Sequence, residues 1–262
     1  METRVARWLA GFVWHPRWIA IAIILVAWQI AAVARDSRVL PTPERVWIEF
    51  WQILSTASFV DDLWASMVRI LVGFAAAMLT GTIAGILMGS RRSWDEFLRD
   101  LVVFGLALPG LVYALIAVML FGQAVWAPVL AITLTSYPFV AVNVREGVRA
   151  LDKNLLQMAQ IYRVGRWDLI SKIIIPSLLP FIFAGIRLGF SIAWKVNTLV
   201  EVFGSTNGVG WQIRASFDAY SVHGMLAWTF IFGGAMLFIE YYILTPAERH
   251  FSRWRPKIEQ VV

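Results

Sequence analysis

From Leu101 to Val144 the chain runs for 44 residues without one charged side chain. A soluble domain carries about a quarter of its residues as charges. Here the charged share is 15% of 262 residues, against 59% hydrophobic. One bilayer-spanning helix needs about 20 apolar residues, so the run predicts two spans, with a break near Gly122 and Gln123. Pro109, Pro128 and Pro138 are each expected to kink or bound a helix, because neighbouring helices can satisfy the carbonyls a proline frees.

Four further apolar runs bring the expected number of spans to six. Trp18 to Ala34 is uncharged over 17 residues, the lower limit for a crossing. Ala32-Val33-Ala34 also fits a signal-peptidase site, but the apolar run is long for a leader. Ile70 to Ser90, Ile182 to Phe203 and Ala219 to Ile239 supply the others. Between the first two runs, Thr42 and Pro43 fit the N-cap and first position of a helix. That helix places Trp47, Phe50, Trp51 and Leu54 on one face, for the membrane surface or for packing against the spans. Asp61 and Asp62 are candidate caps of the next helix. Small residues then recur every four positions at Gly73, Ala77, Gly81, Gly85 and Gly89, a stripe for close helix packing and for contacts between copies. Fourteen tryptophans suit interfacial belts.

The basic residues set an orientation. The N-terminal 1–17, the 91–99 loop, the central loop and the C-terminal tail 246–262 hold 16 of the 23 Lys and Arg. The opposite side holds five: Arg35, Arg38, Arg45, Arg69 and Arg214. The richer side is expected to be cytoplasmic, with both termini on it. The net charge of +6 then reads as attraction to anionic lipid, not to nucleic acid, since no basic-aromatic interleaving is present.

Several chemistries are excluded or unsupported. There is no cysteine, hence no disulfide framework, thiolate metal site or thiol catalysis. His15, His223 and His250 are too dispersed for a His-x-x-His metal site. No Walker A sequence occurs, and Gly204 to Gly210 lacks the Gly-Lys-Ser/Thr ending of a phosphate loop. No Gly-x-Ser-x-Gly elbow is present. What remains is a set of polar residues in or near spans: Tyr113, Arg187, Lys195, Asn197 and Glu201. Such residues are costly in a bilayer and face a cavity, a partner or the interface. They are the candidates for a translocation pathway. A secondary transporter would show inverted repeats with paired broken helices, and an intramembrane enzyme would cluster polar groups deep in its spans. Neither pattern is evident.

The longest polar interval is residues 145–180, with Arg145, Arg149, Lys153, Arg163, Arg166 and Lys172. Asp152 fits an N-cap. Leu155, Met158, Ala159 and Tyr162 follow on one helical face. Gly165 suits a left-handed helix end, and a second helix is expected from Trp167 toward Pro176.

This interval resembles the cytoplasmic loop of permease subunits of ATP-binding-cassette (ABC) importers. That loop reads Glu-Ala-Ala, three residues, Gly, nine residues, then an apolar residue, any residue and Leu-Pro. Gln157-Met158-Ala159 takes the Glu-Ala-Ala place, Arg163 the Gly place and Pro176 the Pro place. The flanks Leu179-Pro180, Ala184 to Leu188, Glu201 to Gly204 and Gly208 to Gly210 are similar to the branch that imports sulfonates, taurine and nitrate. The resemblance covers roughly residues 35–245. It implies an all-α membrane protein with six transmembrane helices of the type I importer kind, plus short coupling and interfacial helices, over residues 18–245. It implies a coupling loop at about 145–175, in which Leu155, Gln157, Met158, Ala159, Tyr162, Arg163 and Gly165 meet a separate ATPase. It further implies a homodimer, an external solute-binding protein, an uncleaved first span and an inner-membrane location. ATP and magnesium would sit on the ATPase, with no cofactor bound by this chain. Gly73, Gly81, Gly85 and Gly89 would serve helix packing.

Overall fold

The computed structural model describes residues 16–34 and 40–251. Arg4, Arg7, Arg35, Arg38, Arg253, Arg255, Lys257 and His15 lie outside the described residues. The described chain falls into two compact units. One comprises residues up to 59 with 213–231, the other 60–212 with residues from 232 onward.

In the first unit, α1 is Pro16–Ala34 and α2 is Pro43–Ser55. The Thr42 side chain accepts from the Arg45 N–H with Pro43 opening the helix, as the sequence predicts. Helix α2 uses two faces. Val46 and Ile53 are buried, while Trp47, Ile48 and Trp51 are exposed. Trp47, Phe50 and Trp51 hold one another at centroid distances of 5.6–5.8 Å. The Trp28 indole donates to the Pro41 carbonyl at 3.0 Å, so the polar tip of a large apolar side chain is satisfied. Phe230 lies 6.1 Å from Trp28, and Trp228 lies 6.1 Å from Phe59.

The remaining helices belong wholly or in part to the second unit. Helix α3 is Ser58–Ser90, α4 Arg92–Ala107, α5 Gly110–Phe121 and α6 Trp126–Arg149. Helix α7 is Lys153–Ile161 and α8 is Arg166–Leu169. A π turn, Ile170–Ile174, leads from α8 into α9, Ile175–Gly204. Helix α10 is Val209–Asp218 and α11 is Val222–Ile239. A second π turn, Glu240–Leu244, joins α11 to α12, Thr245–Phe251. Among the described residues, four continuous helical stretches are long and apolar enough to cross a membrane: 58–90, 126–149, 166–204 and 222–251. Helices α4 and α5 qualify as a bent pair, and α1 is a shorter apolar helix.

The uncharged 101–144 run does break at Gly122, whose φ of 58° suits glycine. Its first half, however, is not one straight span. Helices α4 and α5 meet at 94° across Leu108 and Pro109. Proline holds the residue before it in extended conformation, and Leu108 has φ −74° and ψ 131°. The bent pair still returns the chain across the bundle. Gly73, Gly81, Gly85 and Gly89 of α3 face Ile132, Val140, Val144 and Val148 of α6, all at one sequence offset. Ascending positions therefore pair with ascending positions, so α3 and α6 are parallel. The chain must travel back from the end of α3 to the start of α6, and α4 with α5 is all that connects them. A Cβ at any of these glycines would lie 2.5–2.8 Å from an atom of α6. The glycine stripe is thus spent on packing inside the chain, which overturns its expected use between copies. Helix α9 runs antiparallel to α6: Gly147 meets Phe181, and Gly189 meets Val140.

Pro176 was expected to mark the end of a helix; instead, helix continues from Arg166 to Gly204. Proline cannot donate and its ring crowds the carbonyl four residues back. The π turn accommodates it: the Ile175 N–H reaches back five residues to the Ile170 carbonyl, widening the helix where the ring sits.

Candidate functional site

The central loop is shorter than the sequence suggests, because α6 runs on through Arg149. Asp152 caps α7, accepting from the Asn154 N–H at 2.8 Å. The helix ends at Arg163, not Gly165. Arg163 has φ 51°; its N–H donates to the Gln160 carbonyl at 3.0 Å, and the Val164 N–H to the Ala159 carbonyl at 2.9 Å. This is the paired pattern of a Schellman end, and it puts Arg163 in the backbone conformation that glycine favours. Gly165, at φ −58°, precedes α8 as its N-cap residue. Ala159 is also placed differently from expectation. It is 4% exposed and faces into the chain, whereas Leu155, Met158, Ile161 and Tyr162 are exposed at 44, 53, 79 and 74%. Gln157, Arg163 and Gly165 are exposed too. An apolar face of this kind, on a nine-residue helix between two spans, is an unfilled contact surface.

Next to the loop, Asp95 of α4 is buried at 2% exposure and collects three arginines. Arg145 donates through Nε at 2.5 Å and Nη2 at 3.1 Å, Arg99 at 2.6 Å and Arg149 at 2.8 Å. Two of the six basic residues of the central stretch thus tie the end of α6 to the start of α4.

Glu201 departs most from its expected role. Its side chain is fully buried. It accepts from Ser66 Oγ at 2.8 Å, Arg69 Nη1 at 2.9 Å, Asn197 Nδ2 at 2.9 Å and the Gly210 N–H at 2.9 Å. Arg69 also donates to the Asn207 carbonyl at 3.0 Å and to its side-chain oxygen. Asp62 is no helix cap. It accepts from the Gly208 N–H at 2.7 Å and Gln212 Nε2 at 2.6 Å. Ser66 Oγ takes the Val209 N–H at 2.9 Å. The first turn of α10 and the loop before it are therefore bound to α3 and α9 by buried charge. Gly208 has φ 104°, and a Cβ at Gly210 would lie 2.5 Å from Glu201 Cβ, so backbone must approach the carboxylate here without side chains. Asn197, another pathway candidate, is fully buried in this network.

Arg187 is committed as well. It pairs with Glu240 at 2.7 Å and Glu248 at 2.9 Å and donates to Thr245 Oγ1 at 3.3 Å. Tyr113 donates to the Gly105 carbonyl at 3.3 Å across the α4–α5 bend. Lys195 differs from all of these. It is exposed and lines a cavity of about 310 Å³ with residues of α4, α5, α6 and α9.

The roles of Asp62, Ser66, Arg69, Gly210 and Asp95 in these networks escaped the sequence reading. One signal was available for the first group: Arg69 and Glu201 are opposite charges at the ends of two spans on the same predicted side. Asp95 gave none, because an acid beside Glu96 and among Arg91, Arg92 and Arg99 looks like a solvated loop residue.

Comparison with known proteins bears on this arrangement. The sequence profile of the family described as "Binding-protein-dependent transport system inner membrane component" matches residues 77–253. A putative aliphatic sulfonates transport permease protein of Bacillus subtilis is 27% identical over 94% of this chain and 90% of its own length. A nitrate import permease protein of Synechocystis is 25% identical over 80% of each chain. The taurine transport system permease protein of Escherichia coli is 25% identical over 91% of this chain and 89% of its own. Among solved structures, a chain of the MetNI methionine ABC transporter, in an inward-facing conformation, aligns with a TM-score of 0.59. It is 14% identical and covers 74% of this chain and 94% of that one.

Proposed function

The chain belongs to the family of binding-protein-dependent transport system inner membrane components, and from that premise we propose how its parts work. It is the multi-pass permease subunit of a bacterial ABC importer, a transport subunit and not an enzyme, and it works with an ATPase and a solute-binding protein. In the proposed arrangement two copies form the pathway. ATP and magnesium reside on the two ATPase subunits, and both termini face the cytoplasm, the side richer in Lys and Arg.

The observation that carries the coupling is the outward apolar face of α7. Leu155, Met158, Ile161 and Tyr162 leave water when they enter a groove on the ATPase. The Schellman end at Arg163 holds the face at a fixed angle, and the Asp95 cluster joins its root to α4. Closure of the ATPase pair then moves α6 and α9 through α7 as rigid elements. The solute is a small anion. The relatives named above for aliphatic sulfonates and nitrate support this.

Copurification from cells expressing the chain with its ATPase tests the docking. Met158→Glu sets an uncompensated charge in the contact, so the complex is expected to be lost while the permease still inserts and stays monodisperse. Retention of ATPase by Met158→Glu, with normal uptake, would overturn the assignment of α7. Reporter fusions near residue 158 should read cytoplasmic and those near residue 58 external; the reverse would overturn the orientation.

A further inference from the structure

Lys195 sits about two-thirds of the way along α9, nine residues before the helix ends at Gly204. Among the described residues it has neither a hydrogen-bond acceptor nor a carboxylate partner, although Arg69, Arg145 and Arg187 each have one. Lys195 borders a cavity of about 310 Å³, the lower end of the range for small-ligand sites. Leu108, Gly110 and Leu111 form one wall, at the break between α4 and α5, and Thr135 and Phe139 of α6 form another. The remaining lining residues from α9 are apolar. A cation at this depth requires water or a counter-charge, and the protein supplies no counter-charge within the described residues.

We infer that this cavity is an anion-binding station of the translocation pathway, in which Lys195 holds the head of a singly charged organic anion and the apolar walls hold its tail. This deepens the permease reading and rests on it. One ammonium compensates one negative charge, so the station takes an alkanesulfonate or a similar monoanion. It disfavours sulfate, which would leave a second charge against apolar walls. An anionic lipid headgroup offers the same chemistry and is the competing occupant.

The chain has no cysteine, so a single one can report on the site. Leu111→Cys, with Ile192→Cys as a second position should the first fail to assemble, is placed in the complete transporter in nanodiscs of phosphatidylcholine. Labelling rates are compared for the anionic sulfonatoethyl and the cationic trimethylammonioethyl methanethiosulfonates. The expected result is about a tenfold preference for the anionic reagent. Pentanesulfonate should slow the labelling and equimolar sulfate should not. Lys195→Gln should remove the preference and Lys195→Arg should keep it. Equal rates for the two reagents, or a preference that survives Lys195→Gln, would overturn the station. So would loss of pentanesulfonate protection when phosphatidylglycerol is included, which would give the site to lipid. ATP-driven uptake with no charge preference sinks only the station. A preference without any copurifying ATPase sinks the permease reading instead.

Discussion

Lys195 and Glu201 stand six residues apart on one helix, and by sequence they belong to the same class, charges near an apolar run. The structure separates them. Glu201 is sealed, with four donors on its two oxygens. Lys195 is exposed on a cavity and has no partner among the described residues. A charge inside a bundle therefore divides by whether the fold satisfies it. Satisfied, it fixes helices and loops to one another; unsatisfied, it is held for something that arrives. Arg187, with Glu240 and Glu248, falls on the first side of that line.

Substitutions can break the contrast, beginning with the largest effect. Glu201→Ala leaves the mostly buried Arg69 without its carboxylate and strips acceptors from Ser66, Asn197 and Gly210. Breaking one partner out of a buried pair costs about 3–5 kcal/mol, so the purified variant should lose much of its thermal stability in detergent. Midpoints within a degree of the parent would show that this network is no more structural than Lys195.

Gly210→Ala attacks the same network by volume. Its Cβ would sit 2.7 Å from the Thr198 carbonyl, and overpacking of this kind costs about 1–3 kcal/mol. The loss should appear in thermal midpoint and should not add in full to that of Glu201→Ala, because the two residues touch. Full additivity would mean that the glycine supports something other than the carboxylate.

Ala159→Glu and Met158→Glu carry the contrast into the coupling loop. Ala159 is buried, so its variant should unseat α7 and expose residues 150–165 to limited proteolysis. Met158→Glu should leave cleavage unchanged. Equal protection of the two variants would mean that Ala159 does not seat the helix.

The smallest expected effect is at Lys195. Lys195→Gln loses no hydrogen bond or ion pair with the described residues, so stability should hold within about 0.5 kcal/mol, by the same thermal assay. A marked drop would move Lys195 into the company of Glu201.

Much of the bundle was legible in the sequence because charge-free runs follow from bilayer thickness alone. Local backbone signals were equally direct where one residue type decides them: Thr42 with Pro43, Asp152, and the break at Gly122. Signals failed where a residue type is preferred but not required. The left-handed end of α7 fell on Arg163 despite Gly165 two positions on, since the helix hydrogen bonds fixed where the turn closes. Pro176 failed to stop a helix because a π turn absorbed it. The site was less legible for another reason. Arg69 and Glu201 are separated by 132 residues, and no local pattern reports such a pairing. Which of several intramembrane charges is left open depends on the sum of all partners, which only packing reveals. The 94° bend beside the cavity was written in Pro109, but its angle was not.

The comb of glycines between α3 and α6 has a problem of phase. Teeth at equal spacing fit equally well after a shift of one helical turn, so four glycines alone would leave the register of two parallel helices undetermined. Ala77 stands in the series where a fifth glycine could be, and the common offset sets it opposite Ser136; both are fully buried. Slide α3 by one turn either way and its methyl arrives at the notch of Gly81 or of Gly73. There a Cβ comes within 2.7 Å of Val140 Cβ or 2.8 Å of Ile132 Cβ. A single methyl group thereby removes the translational symmetry of the seam. The two helices are locked as one beam, without freedom to slip a tooth.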